Sequence, residues 1–200
     1  MSSFLDLPDE LILKVLSHTE IAALLSCGQV SKRIRTISND NSLFQMVNLS
    51  NKNVKTDLLA TLLNKGCKSL NLSGSSIWGS LNLIQKSQLR KLDLSYCNGI
   101  LEELLASCDS LQNLSLKGLK ISSNMMDSIY RNSQTLQVIN LYNSCMVGCN
   151  ETLVYNKVSK QCKFLFWGFP KGQLILKANF LVLIWTKNRM KLIFDFCPSL

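Results

Sequence analysis

A single histidine, His18, stands among the 200 residues, and it limits the available chemistry at once. A serine or cysteine nucleophile needs a base within hydrogen-bond reach, and the chain offers one imidazole for that task. His18 falls near the end of a first helix, where an exposed helical position accounts for it. Glu102 and Glu103 are adjacent. On a helix, consecutive side chains diverge by about 100°, so the two carboxylates cannot share a substrate. Gly66, Gly74 and Gly79 fit neither a dinucleotide loop nor a P-loop. The eight cysteines contain no C-x-x-C pair. Cys145 and Cys149 lie closest together, and no second pair completes a four-coordinate zinc site. Neither a metal nor another cofactor is expected, and no catalytic residue is nominated. Lys32, Arg33 and Arg35 cluster, and the simplest reading is the solvated face of a helix.

With no catalytic constellation in view, the elements that could present a binding surface become the question. The chain is 46% hydrophobic and 18% charged, enough for a core and too apolar for disorder. Its net charge of +9 is uneven: residues 1–145 carry 14 basic and 11 acidic side chains, residues 146–200 carry 8 and 2. The basic excess therefore belongs to the last quarter, and the body is no obvious nucleic-acid surface. No nucleic-acid partner is expected. Met1 to Asp6 shows no basic, apolar leader, which points to the cytoplasm or nucleus, to reduced thiols and to unmodified N-x-S/T sequons. The longest unbroken apolar run in Leu174–Trp185 is Phe180–Trp185, too short to span a membrane.

Self-comparison exposes the organisation. Apolar residues recur with one spacing at Phe44/Val47/Leu49, Cys67/Leu70/Leu72, Leu89/Leu92/Leu94, Leu111/Leu114/Leu116 and Leu136/Ile139/Leu141. Successive starts are 23, 22, 22 and 25 residues apart. The clearest copy runs from Leu89 to Asn98, L-R-K-L-D-L-S-Y-C-N, and matches the leucine-rich-repeat consensus. In that pattern a short strand points alternate apolar side chains into the core, and the Cys or Asn satisfies backbone groups where the chain turns away. Returning helices are expected at Thr56–Lys65, Ile100–Cys108 and Asn124–Asn132, from apolar residues at helical spacing. Ile77 to Lys86 reads as loop.

Residues 5–45 differ in texture. Pro8, Asp9 and Glu10 suit a helix start, and Leu11, Ile12, Val15 and Leu16 form its apolar face. A second helix over Glu20–Cys27 turns Leu24 and Leu25 inward, and a third from Gln29 carries Val30, Ile34 and Ile37. Three short helices bury too little surface to stand alone and should lean on a neighbour.

Leu7-Pro8-Asp9-Glu10-Leu11, Val15-Leu16, Leu24-Leu25, Val30-Ser31-Lys32-Arg33-Ile34 and Ser42-Leu43-Phe44 resemble an F-box. With the repeats directly after it, the chain is similar to the F-box/leucine-rich-repeat substrate receptors over about residues 5–145, the span that ends with the repeat pattern. The implied fold is α+β: a three-helix F-box (5–45), a short α/β leucine-rich-repeat solenoid of about five repeats (44–145) and an irregular basic, aromatic tail (146–200). The resemblance implies a non-catalytic subunit of an SCF-type cullin-RING ubiquitin ligase. In such a subunit the F-box binds a Skp-family adaptor, and through it the cullin and RING subunit. The repeats bind a protein substrate destined for degradation. The adaptor-binding residues it implies are Leu7, Pro8, Glu10, Leu11, Val15, Leu16, Leu24, Val30, Ser31, Ile34, Leu43 and Phe44. A repeat scaffold without a ligase role is the alternative.

The tail fits the pattern poorly. A sixth strand would begin near 158–162, where Cys162/Leu165/Trp167 is a weak match. A cap, a membrane or nucleic-acid contact, or unrelated sequence in place of missing repeats are all compatible with its composition. The last would leave an adaptor-competent, substrate-defective chain. The exposed strand positions Asn71, Asp93, Ser115 and Asn140 name no substrate.

Overall fold

The computed structural model describes residues 4–83, 85–147, 164–168, 174–178, 181–186 and 189–194. It opens with three helices, α1 (Asp9–Leu16), α2 (Ile21–Cys27) and α3 (Lys32–Ser38). Pro8 sits at the N-cap of α1, with Asp9 and Glu10 in the first turn facing the positive end of the helix dipole. Ser31 caps α3, its Oγ accepting from the Ile34 N–H at 3.2 Å. The third helix thus starts at Lys32 rather than at Gln29, and Val30 lies before it, 71% exposed. The expected four-residue face of α1 divides. Ile12 and Leu16 point into the core, whereas Leu11 and Val15 are each 47% exposed, because residues one apart on a helix diverge too far for both to meet one neighbour. Leu25 on α2 is likewise exposed while Leu24 is buried.

From Met46 one plan repeats: a strand, a turn, a short outer strand and, in most copies, a helix. The elements are β1 (Met46–Asn48), β2 (Asn53–Lys55) and α4 (Thr56–Asn64); β3 (Ser69–Asn71) and β4 (Ser76–Trp78), with no helix following; β5 (Lys91–Asp93), β6 (Asn98–Gly99) and α5 (Leu101–Ala106); β7 (Asn113–Ser115), β8 (Lys120–Ile121) and α6 (Ser123–Arg131); then β9 (Val138–Tyr142) and β10 (Cys145–Met146). Strands β1, β3, β5, β7 and β9 pair in parallel, in that order, with Val47, Leu70, Leu92, Leu114 and Ile139 in register. All fifteen residues of the five sequence triplets are buried. Each such side chain contributes about 1.5–3 kcal/mol when removed from water, so the periodic triplets are the core of the sheet.

The turn after each core strand is also periodic. Asn48, Asn71, Asp93 and Asn140 accept, through Oδ1, the N–H two residues on, at 2.9–3.0 Å. Three residues past each of these comes one left-handed residue: Asn51, Gly74, Tyr96 or Asn143, with Gly118 at the same step after Ser115. Ser75 Oγ and Cys97 Sγ then donate to the carbonyls of Leu49 and Leu72 in the preceding copy, at 2.6 and 2.7 Å.

The helices return the chain along the other side. Leu59, Leu62 and Leu63 of α4, Leu101, Leu104 and Leu105 of α5, and Met125, Met126 and Ile129 of α6 are buried. Ser122 caps α6 by accepting from the Met125 N–H at 3.3 Å. The three N-terminal helices do lean on this body: Ile12, Leu16, Leu24, Ile34, Ile37, Leu43 and Phe44 belong to one continuous core with the sheet.

The last quarter departs from an irregular tail. β11 (Phe164–Gly168) pairs in parallel with β9, and β12 (Leu174–Ala178), β13 (Leu181–Thr186) and β14 (Arg189–Phe194) follow as an antiparallel meander. Leu165 lies opposite Ile139 and Trp167 opposite Leu141, so these two members of the weak sixth triplet continue the register of the fifth. Runs rich in aromatic and branched residues, separated by Gly, Pro and Asn, account for the strands. Cys162 lies outside the described residues. No helix among the described residues is long and apolar enough to cross a membrane.

Candidate functional site

Two surfaces remain open once the core is assembled. The first lies on the N-terminal helices, where Leu11 and Val15, one turn apart, form an outward apolar stripe on α1. Phe4, Leu5 and Val30 are also exposed, and Leu7 is half-buried. Arg33 on α3 organises the approach to this stripe. Its Nε donates to Asp9 Oδ1 at 2.8 Å, its Nη2 donates to the Leu7 carbonyl at 2.7 Å, and its Nη1 to the Leu5 carbonyl. The segment from Leu5 to Asp9 is thereby clamped beside the start of α3. Arg35 Nε donates to the Gly28 carbonyl at 2.7 Å. The basic cluster is therefore not merely a solvated face: two of its three members tie the helices together. The planar guanidinium with its several donors suits such multi-point bonding.

Of the twelve residues the F-box resemblance implies, Pro8, Glu10, Leu11, Val15 and Val30 are exposed, and Leu7 and Ser31 are half-buried. Leu16, Leu24, Ile34, Leu43 and Phe44 are buried in the internal core. These five belong to the core that joins the helices to the body, and Ser31 acts as the α3 cap. Phe4 and Leu5 join the open face without having been singled out in the sequence; an apolar pair just ahead of Leu7-Pro8 was the available signal.

The second surface is the open face of the parallel sheet. Ser69, Asn71, Lys91, Asp93, Asn113, Ser115, Val138 and Asn140 line a groove of about 370 Å³. The expected positions Asn71, Asp93 and Asn140 are engaged in their own turns, and Ser115 Oγ pairs with Ser95 Oγ at 2.8 Å.

The candidate chemistry is dispersed. His18 lies in the turn after α1, past the helix end. Glu102 accepts from Ser122 Oγ at 2.5 Å and from Asn124 Nδ2 at 3.0 Å, which hold its carboxyl below the ordinary range. Glu103 accepts instead from the Leu81 N–H at 3.2 Å, so the neighbouring carboxylates serve separate structural partners. Among the described residues no three His, Cys, Asp or Glu side chains converge as metal ligands. Cys67, Cys97 and Cys108 are buried thiols; burial pushes Cys67 up to about 11 and raises the other two. Cys149 lies outside the described residues.

In comparison with known families, a family described as F-box-like matches residues 4–50. That span takes in all three N-terminal helices, the Arg33 clamp and the first strand.

Proposed function

We propose that the chain is a non-catalytic, substrate-recognition subunit of an SCF-type cullin-RING ubiquitin ligase. The F-box-like match over residues 4–50 carries this reading. An apolar stripe left in water on the same residues supports it, since such patches mark surfaces that meet partners. Leu7, Pro8, Glu10, Leu11, Val15 and Val30 form the adaptor face, with Phe4 and Leu5 extending it. A Skp-family adaptor covers this face and links the chain to cullin and RING subunit. Ubiquitin transfer then gains its rate from holding a substrate lysine close to the charged conjugating enzyme, with no reacting group from this chain.

The finer reading takes the periodic body as leucine-rich repeats whose sheet face receives a protein substrate. Five in-register triplets, repeated Asx turns and left-handed residues at one register support it. The stretch Ser110-Leu111-Gln112-Asn113-Leu114-Ser115-Leu116-Lys117-Gly118-Leu119 is similar to S-phase kinase-associated protein 2, which favours a receptor over a scaffold without ligase role. Action in cytoplasm or nucleus belongs to the same proposal. The test is co-purification with adaptor, cullin and RING subunit, followed by reconstituted ubiquitination of captured substrates. Capture of partners without adaptor would favour the scaffold.

A further inference from the structure

Just past the groove-lining Asp93, Ser115 and Asn140 along the chain, the residues that follow carry an arrangement that the turns do not require. Lys117 Nζ lies 5.5 Å from the Tyr96 ring centre and 5.3 Å from that of Tyr142. Both tyrosines are exposed. The backbone ladder sets them side by side: Tyr96 N–H donates to the Lys117 carbonyl at 2.8 Å, and Gly118 N–H to the Tyr142 carbonyl at 3.0 Å. Gly118 also seats the Tyr96 ring, since a Cβ there would come within 2.2 Å of it. The ammonium is thus fixed between two aromatic faces. Among the described residues it has no carboxylate partner.

Charge on the adjoining surface has the same sign. Lys91 lines the groove, and Lys68 and Arg90 stand exposed where the chain enters β3 and β5. None of these is in an ion pair among the described residues. The one groove carboxylate, Asp93, already accepts the Ser95 N–H at 2.9 Å. From β3 to β9 the groove crosses three interstrand spacings, about 14 Å, which is the length of about four extended residues.

We propose that the Tyr96–Lys117–Tyr142 platform, with Lys91 on the groove floor, recognises an acidic extended segment of a partner protein. The inference rests on the reading of the sheet face as substrate-receiving and names the chemistry of that substrate. A carboxylate meets the Lys117 ammonium while the two tyrosine rings flank that ammonium and hold water away, which strengthens the charge-assisted contact.

The test is fluorescence anisotropy on the full chain with a labelled glutamate-rich peptide, its glutamine counterpart and a single-stranded oligothymidylate. The glutamate peptide should bind best and weaken as salt rises. Lys117→Met and Lys91→Glu should each weaken it about tenfold at unchanged melting temperature, while Lys117→Arg retains binding. Equal binding of the glutamine peptide, equal binding of the oligonucleotide, or an unaffected Lys117→Met would overturn the proposal. Adaptor capture is measured on the same proteins. Peptide binding without adaptor binding sinks the ligase reading alone, and adaptor binding without peptide preference sinks the acidic-segment proposal alone.

Discussion

Asn132 joins α6 to the copy before it, and its replacement should cost more than any other single polar change in the body. It is 1% exposed. Its Nδ2 donates to the Cys108 carbonyl at 2.7 Å and to the Ser128 carbonyl at 2.9 Å, and its Oδ1 accepts the Leu111 N–H at 3.0 Å. In Asn132→Ala, the Ser128 carbonyl keeps the Asn132 backbone N–H at 3.3 Å. The Cys108 carbonyl and Leu111 N–H are left buried without that partner. Each stranded group costs about 1–3 kcal/mol, so the loss from the two should be about 2–6 kcal/mol. For a chain of this size, about 2–4 °C of melting temperature goes with each kcal/mol. The expected drop is about 4–24 °C by thermal unfolding followed by circular dichroism. Asn113→Ala, at a half-buried groove residue whose side chain makes no hydrogen bond among the described residues, is the control. A loss within about 0.5 kcal/mol of that control would refute the argument that this amide fixes one copy against the next.

Arg33→Ala should weaken adaptor binding several-fold, because the clamp on Leu5, Leu7 and Asp9 is released. Its melting temperature should barely move, since the Arg33–Asp9 pair is exposed and such pairs contribute little; calorimetric titration with adaptor reads the first effect. In native protein at pH 8, iodoacetamide should modify half-buried Cys27 and spare Cys67, Cys97 and Cys108, checked by peptide mass mapping. The Cys67 thiol is raised from 9.0 to about 11 by burial, so the folded state holds its proton more tightly than the unfolded one. Its contribution to stability is complete below pH 9.0 and is lost as pH rises towards about 11, and Cys67→Ala should flatten that part of the stability profile.

The sheet body was legible because two constraints coincide in it. A strand alternates its side chains, and a parallel stack needs the same alternation at each return, so Leu70, Leu92 and Leu114 announce both. The helical face of α1 was less legible. Leu11 and Ile12 are equally apolar, and only the position of the body decides that Ile12 is inside and Leu11 outside. Core and interface residues of a small helical unit carry the same composition, so composition alone does not separate Leu24, Ile34 and Phe44, which the F-box resemblance implies as adaptor-binding, from the exposed Leu11 and Val15. Arg33 stood out in the sequence only as part of a basic cluster; its clamping role was hidden because its contacts reach 24 to 28 residues back, and no periodicity links them. The tail strands were obscured by cations such as Lys177 and Lys191 within apolar runs, which break the alternation a strand reader looks for.

Binding to a purified Skp-family adaptor tests the central claim most directly, with the native chain and Leu11→Asp/Val15→Asp side by side in calorimetric titration. Both residues are exposed in the free chain, so the double variant should keep its circular dichroism. Two charges pressed unpaired into an apolar interface cost several kcal/mol, and about 3 kcal/mol is already about a hundredfold in affinity. The native chain should bind the adaptor, and the double variant, still folded, should not. A native chain that ignores the adaptor, or a folded double variant that binds it equally well, would contradict the claim.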